Sequence, residues 1–367
     1  MTRATDQPQP PRLPLLVTGI SGVPGYNAFH YFRNLYGDQV FGMRQNSMWP
    51  LSGDGILGCD AEDRRQVSEI WDQYEFKTLL NFAGCCRLKS CEMDPEMAHR
   101  VNVMGTENMI AEATRRDAAI IHLSVDLVFG GRDGGDYCEE DQPDPVTVYG
   151  AKMVEAERLV LNHRPDACVL RISLPMGISF NAHAGAIDWI ASRFKQGKPA
   201  TLFVDEFRTP TYTDCMNELF AHILREPIHG LFHAGGPRKM SLFEIAQVVN
   251  RVGGYDARLL KGVPRIEAGP MPPRAGDVAM NSSKLQEAIG RAPFDPWPSL
   301  DHLCPDSSDW HFESLSYESL PLNSLSQSPI DGNSGEAWIE QLLYQNPNNP
   351  GFVPPNRDQL WGDRRFH

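Results

Sequence analysis

Between Pro14 and about Leu170, short runs of branched aliphatic residues alternate with longer stretches in which apolar residues recur at three- and four-residue spacing. The short runs are "LPLLVTG", "QVFGM", "TLLNFAG", "AAIIHLS" and "ACVLRIS". Each is bounded by turn residues, the pattern of parallel strands buried on both faces. The longer stretches, "DPEMAHRVNVMGTENMIAEATRR" and "VYGAKMVEAERLVLNH", place charges between apolar positions and basic residues near their ends, which predicts amphipathic helices. Strand and helix in alternation predict an α/β fold, a Rossmann-type doubly wound parallel sheet over residues 13–173. Beyond Ser173 the pattern loosens into "AIDWIASRFKQGK", "DCMNELFAHILRE", "GLFHAGG" and "SLFEIAQVVNRVGG", a smaller α/β lobe over 174–298 interleaved with the sheet. Ser241 and Glu244 have the spacing of a capping box at the start of the last of these helices. Residues 299–367 are rich in serine, proline, asparagine and acids, which predicts an irregular tail with one helical candidate at "GEAWIEQLLYQ". Either that tail is solvated, or it is an arm that docks Trp338, Leu342 and Trp361.

Composition narrows the function classes. Hydrophobic residues at 41% and charged residues at 22% are near soluble averages. No apolar run approaches the roughly 18 residues that a membrane span needs. The opening "MTRATDQPQPPR" has no apolar stretch behind its charges, so a secretory signal is not expected and a cytoplasmic location is. A net charge of -13 argues against nucleic acid, whose binding draws on clustered Lys and Arg. The eight cysteines form no CxxC pair and read as free thiols of a reducing compartment. The one cluster, "GCCRLKSC" with Cys85, Cys86 and Cys91, reads as packing thiols at a strand edge, and no metal site is expected.

The first strand ends in "VTGISGVPG", with Gly19, Gly22 and Gly25 in the spacing GxxGxxG. The first glycine permits a tight turn, the second lets backbone N–H groups approach a pyrophosphate, and the third lets the next helix pack on the sheet. A dinucleotide cradle of Gly19, Ser21, Gly22, Val23, Pro24 and Gly25 is therefore expected, because the glycines follow a strand and open a helix. Where the second strand ends, NAD-binding chains place an acid for the ribose hydroxyls; "FGMRQNS" offers Arg44, which suits a 2'-phosphate. NADP is expected, with NAD as the alternative, and Arg44 is otherwise a surface cation. Asp60 is read either at the adenine edge or as a solvated loop acid.

Several motifs together resemble one family. "TGISGVPG", "NFAG", "RVNVMGTENM", "LSVDLVFGGRDGGDYCEEDQPDPVTVYG", "FRTPTYTD" and "GLFHAGGPRKMSLFEIA" are similar to the extended short-chain dehydrogenase/reductases. Within these they resemble the dTDP-4-dehydrorhamnose reductase group, which includes the methionine adenosyltransferase beta subunit. The likeness runs from about Pro14 to Trp297. It implies hydride transfer from a nicotinamide to a sugar C4 carbonyl, with a tyrosine, here Tyr149, giving the oxygen its proton. It also implies cofactor contacts from Ala83 and Gly84 of "NFAG" and from Tyr149. Val125, Asp126, Arg208 and Tyr212 would then lie at the nucleotide-sugar cleft. Asp126 otherwise steadies a loop, and Arg208 otherwise pairs with Asp205 or Glu206.

Two positions depart from that pattern. A lysine four residues after the tyrosine would lower its pKa and hold the ribose, yet that position is Met153, and Lys152 stands one place early. A one-residue step turns a helical side chain by about 100°. The glutamate expected eight residues on is present as Glu157, so no gap repairs the register. Upstream, Val125 stands where a threonine would hold the carbonyl oxygen, with Ser124 beside it on the opposite strand face. Glu139, Glu140 and Asp141 read as an acidic rim or a solvated turn, and His122 as a core histidine.

Two readings follow. One is an NADP-linked reductase of a 4-keto-6-deoxy nucleotide sugar, with Tyr149, Ser124 and Lys152 as catalytic candidates. The other is an NADP-binding regulatory or scaffold subunit that has lost the reaction. The first needs only the small molecule, and either is compatible with a homo-oligomer; the second implies a partner enzyme.

Overall fold

The structure, a computed structural model, describes residues 11–181, 185–269 and 271–295. The tail expected at 299–367, with Trp338, Leu342 and Trp361, lies outside the described residues, as do the last positions of the second lobe.

The alternating pattern of the first half forms six strands: β1 (Leu15–Thr18), β2 (Val40–Arg44), β3 (Ile56–Gly58), β4 (Thr78–Asn81), β5 (Ala119–Val125) and β6 (Cys168–Ile172). A seventh, Gly230–Ala234, comes from the second half, and the order across the sheet is Gly230–Ala234, β6, β5, β4, β1, β2, β3. All neighbours in this sheet are parallel. The fold is thus the expected doubly wound one. Strand alternation divides the interior: Leu15, Val17, Leu80, Ile121 and Leu170 enter one core, while Leu16, Leu79, Ile120 and Val169 enter the other with Trp71 and Phe76.

Helices α1 (Val23–Tyr36), α2 (Arg64–Tyr74), α3 (Leu88–Met93), α4 (Pro95–His99), α5 (Gly105–Arg115) and α6 (Val148–His163) connect the first six strands. Asp63 caps α2 by accepting the N–H groups of Arg65 and Gln66, and Thr147 caps α6 through Gly150. The single long helix expected from Asp94 onward is α4 and α5 joined by a π-helical turn, Arg100–Met104. In the second half α7 (Ala186–Lys195), α8 (Thr213–Arg225) and α9 (Leu242–Val252) match the expected helical segments, and the capping box of Ser241 and Glu244 is formed in both directions.

One strand of the sheet is absent from the sequence pattern, and another is present there without its place in the sheet. β3 is three residues long with intermediate or exposed side chains, too short and too wet to stand out as an apolar run. The seventh sheet strand was visible as "GLFHAGG", but its parallel pairing with β6 is a long-range contact that periodicity does not reveal.

Candidate active site

β1 lies between β4 and β2, so the connections leaving β1 and β4 diverge and open a crevice beyond their carboxyl ends. Gly19 occupies this point with φ 68°, a left-handed conformation that glycine adopts without strain. A Cβ there would stand 2.3 Å from the Phe82 carbonyl oxygen, and one at Gly25 would stand 2.3 Å from that of Gly19. Gly22 differs, since its nearest neighbour would be 3.4 Å away. The outer glycines let backbone pack on backbone, and the middle one leaves room. α1 begins at Val23 with no side-chain cap and no acid in its first turn, so its positive end faces the crevice uncompensated. The Gly-rich turn therefore fits a pyrophosphate.

Thr18, at the end of β1, joins the two sides of the crevice. Its hydroxyl accepts the N–H groups of Phe82 and Ala83, both at 2.9 Å, and lies 3.1 Å from Asn81 Oδ1. Ala83 and Gly84 are thereby brought against the cradle. Gly84 is itself confined, because a Cβ would approach Asn102 Oδ1 to 2.8 Å. Asn102, in the π-helical turn, accepts the N–H of Cys85 at 2.7 Å and reaches its carbonyl with Nδ2 at 3.4 Å. Sequence reading passed over Asn102, although a π-helical turn commonly marks a functional position.

Arg44 is the last residue of β2, and Asp60 lies just past the end of β3. The Arg44 guanidinium donates to the Leu51 carbonyl at 2.6 Å and the Gln45 carbonyl at 3.0 Å, and partial burial lowers its pKa despite the nearby Asp60 carboxylate. Asp60 accepts from both nitrogens of Asn46, at 2.9 and 3.0 Å. Both residues shape the loop that borders the crevice on the β2 side.

Tyr149 is the second residue of α6 and is 7% exposed. It packs among Cys91, Val128, Phe129, Met153, Cys85 and Val125. No hydrogen bond to its hydroxyl is formed among the described residues. Burial pushes the phenol well above its usual range near 10, and Cys86, Asp126, Cys91 and Cys85 push it further. The position four residues on is filled by buried Met153, so no cation stands there. Gly150 allows the close seating of this helix, since a Cβ would lie 2.1 Å from the Leu127 carbonyl oxygen.

Ser124 and Lys152 are turned elsewhere. Ser124 is fully buried and donates to Glu157 Oε1 at 2.5 Å. Glu157 in turn takes a two-pronged contact from Arg171, 2.8 Å on each oxygen, and Arg171 donates to His233 Nε2 at 3.2 Å. Lys152 pairs with Glu155 at 2.6 Å. The strand alternation that carries Val125 toward Tyr149 carries Ser124 into this buried ion network. The catalytic expectation for Ser124 and Lys152 therefore meets side chains already committed to other partners.

Asp126 and Arg208 are brought together at 2.8 Å, both buried. Asp126 also accepts from Ser173 at 2.7 Å, and Arg208 donates to Glu206 at 2.6 Å, which Arg274 also holds. Burial raises the Asp126 carboxyl, against the pull of Arg208. Arg208 thus has its guanidinium between two carboxylates inside the protein rather than offered to a phosphate, and Glu206 is one of the partners that the sequence suggested. Tyr212 is buried immediately before α8. His122 is a core residue, its Nδ1 meeting Asn81 Nδ2 at 3.0 Å. Of the acidic rim, Glu139 accepts the N–H of His233 and Asp141 that of Cys138. Among the described residues no cluster of potential metal ligands occurs and no helix is long and apolar enough to cross a membrane.

A family model described as "RmlD substrate binding domain" matches residues 13–302. A relative in Haloferax volcanii, "Probable low-salt glycan biosynthesis reductase", is 29% identical over 67% of this chain and 82% of its own length. A dTDP-4-dehydrorhamnose reductase of Mycolicibacterium smegmatis is 28% identical over 65% of this chain and 72% of its own. Methionine adenosyltransferase 2 subunit beta of Danio rerio is 26% identical over 77% and 86%. Among solved structures, dTDP-4-dehydrorhamnose reductase from Bacillus anthracis in complex with NADP superposes with a TM-score of 0.66 at 18% identity, covering 76% of this chain and 93% of that one. A UDP-glucose 4-epimerase of Thermus thermophilus in complex with NAD gives 0.66 at 20% identity, covering 80% and 98%. These structural likenesses bear on the fold.

Proposed function

The chain belongs to the RmlD substrate-binding domain family, and from that premise we propose that it is an NADP-dependent reductase of a 4-keto-6-deoxy nucleotide sugar. The observation that carries this reading is the cradle: two glycines forced by backbone contact, one left open, and an uncapped helix start at the switch point of the sheet. Gly19, Ser21, Gly22, Val23, Pro24 and Gly25 hold the pyrophosphate, with Ala83 and Gly84 as the opposite wall. Arg44, whose guanidinium also holds the Leu51 and Gln45 carbonyls, would supply the positive charge for a 2'-phosphate, and Asp60 would fix the adenine-side loop through Asn46. The nicotinamide supplies the hydride.

Tyr149 donates the proton to the nascent alkoxide. Its raised pKa keeps the phenol protonated throughout the neutral range, which suits donation and disfavours the phenolate needed for the reverse oxidation. Asp126 and Arg208 act as positioning residues, tying the end of β5 to the second half of the chain beside Val125 and Tyr212. Ser124 supports α6 through Glu157, and Lys152 lies at its outer face.

Loss of NADPH absorbance on adding dTDP-4-keto-6-deoxy sugars tests this. Turnover is expected, with Tyr149→Phe slower by about 10² to 10⁴, the usual worth of a positioned acid. Turnover undiminished in Tyr149→Phe removes the tyrosine from the chemistry.

Buried Met153 and apolar Val125 favour a second reading, in which the chain keeps NADP binding and regulates a partner enzyme. The likeness to methionine adenosyltransferase 2 subunit beta supports that class. Tight NADP(H) binding without turnover across a ketone panel, and copurification with a second chain, would select it.

A further inference from the structure

Three thiols of "GCCRLKSC" converge on the start of α6. Cys91, in α3, is fully buried and points its Sγ at the Cys85 carbonyl oxygen, 3.4 Å away, and at the Cys85 Sγ, 4.0 Å away. Cys85 lies in the turn after β4 and is half-buried, so it meets solvent on one side and Cys91 on the other. Its backbone is clamped at N–H and carbonyl by Asn102. The neighbouring Glu92 of α3 accepts the N–H of Val148 at 2.7 Å, so the helix that carries Cys91 also holds the residue before Tyr149.

We propose that Cys85 and Cys91 are an oxidisable dithiol, with Cys85 the peroxide-reacting sulfur and Cys91 the resolving one, so that an intramolecular bridge forms beside Tyr149. The Cys85 thiolate attacks one oxygen of hydrogen peroxide, its S–O bond forming as the O–O bond breaks, and after proton transfer water leaves and a sulfenic acid remains. The Cys91 thiol then attacks that sulfur, the S–O bond breaks, a second water leaves and the disulfide forms. Two thiols and one peroxide become one disulfide and two waters, with both sulfurs oxidised and both peroxide oxygens reduced.

The geometry separates the roles. Only Cys85 of the pair reaches solvent, and only Cys91 is enclosed beside it. The hydrogen bond from Cys91, with the nearby Arg87, holds the Cys85 thiol down to about 6, and the same contact pushes Cys91 upward, so the shared proton stays on Cys91. Cys138 is shifted the opposite way, raised first by desolvation and then by Asp141, Asp136, Glu139 and Glu140. Thiolate fraction, offset only in part by lower intrinsic nucleophilicity, predicts that Cys85 reacts faster than Cys138 at neutral pH. This dithiol stands apart from the reductase reading and holds for a catalytic or a regulatory chain alike. The bridge would fasten the turn after β4 to α3, and through Glu92 to the first turn of α6.

The test is peroxide titration of the reduced full chain, with maleimide blocking and peptide mass spectrometry. The expected product has lost two hydrogens through a dithiothreitol-reversible bridge between Cys85 and Cys91, and it persists in Cys86→Ser. Cys85→Ser should leave Cys91 reduced. In Cys91→Ala, with its fold verified by circular dichroism, Cys85 should accumulate as a sulfenic acid that dimedone traps. Should Cys91→Ala not fold, the Cys85→Ser and Cys86→Ser arms decide. The proposal is overturned if Cys85 and Cys91 still alkylate fully after Cys138 has been oxidised, or if Cys91 is still bridged in Cys85→Ser and is no longer bridged in Cys86→Ser.

Discussion

Burial changes the proton chemistry of Tyr149, His122 and His233. Desolvation keeps Tyr149 protonated, so the proposed reduction should show no loss of rate from tyrosine ionisation between pH 6 and 9. A reduction rate that falls with a midpoint near 7 would point to another acid. Supplying the absent groups through Val125→Thr with Met153→Lys should raise the rate by about 10² if the site is merely weakened, since one stabilising donor is commonly worth that much. No change would indicate a remodelled pocket. His122 and His233 are both buried neutral, with pKa values lowered by burial to about 4 from the usual 6.5. The unfolded chain binds protons there between pH 6.5 and 4 while the folded chain does not, so stability present above that window is lost as pH falls through it. Acidification from pH 7 to 5 should cost about 2 kcal/mol for each histidine. Urea melts at pH 7 and 5 check this, with His122→Gln expected to lose about 2 kcal/mol less than the parent on acidification; equal losses would contradict it.

Among elements, the β1 to α1 connection was the most legible in sequence, because three glycines at fixed spacing after an apolar run have few other uses. The strands buried on both faces and α6 were legible for the same reason, a strong local pattern. The partners of Ser124, Lys152 and Arg208 were mostly not. Ser124 and Val125 are adjacent letters that strand pleating sends to opposite faces, and the carboxylate taken by Ser124 belongs to a helix 33 residues on. Asp126 meets Arg208 across 82 residues, a juxtaposition set by how the second half folds back on the sheet. Tyr149, Met153 and Glu157 lie on one helix, so their relative spacing is legible in the sequence alone. The buried pair of Glu157 and Arg171 makes an element-scale prediction. Glu157→Ala strands an unpaired guanidinium between α6 and β6, and should destabilise the fold by about 3 to 5 kcal/mol in denaturant melts. A loss below about 1 kcal/mol would mean that water replaces the carboxylate easily.

At the scale of the molecule, one parallel sheet separates two apolar cores and leaves its functional crevice at the single place where the strand order reverses. The second half is tied to that crevice twice, by the seventh strand beside β6 and by Arg208 on Asp126. Nucleotide affinity and overall folding therefore share the same backbone turn, and a side chain added at Gly25 should injure the first before the second. Isothermal calorimetry of NADPH with the full chain and with Gly25→Ala tests whether the Gly-rich turn is a nucleotide site. The expected result is saturable binding near one site per chain with a Kd on the order of micromolar, weakened at least about tenfold in the variant, where the added carbon meets Gly19. Absence of binding by NADPH, NADP and NADH alike at millimolar concentration, to a chain shown to be folded, would contradict it.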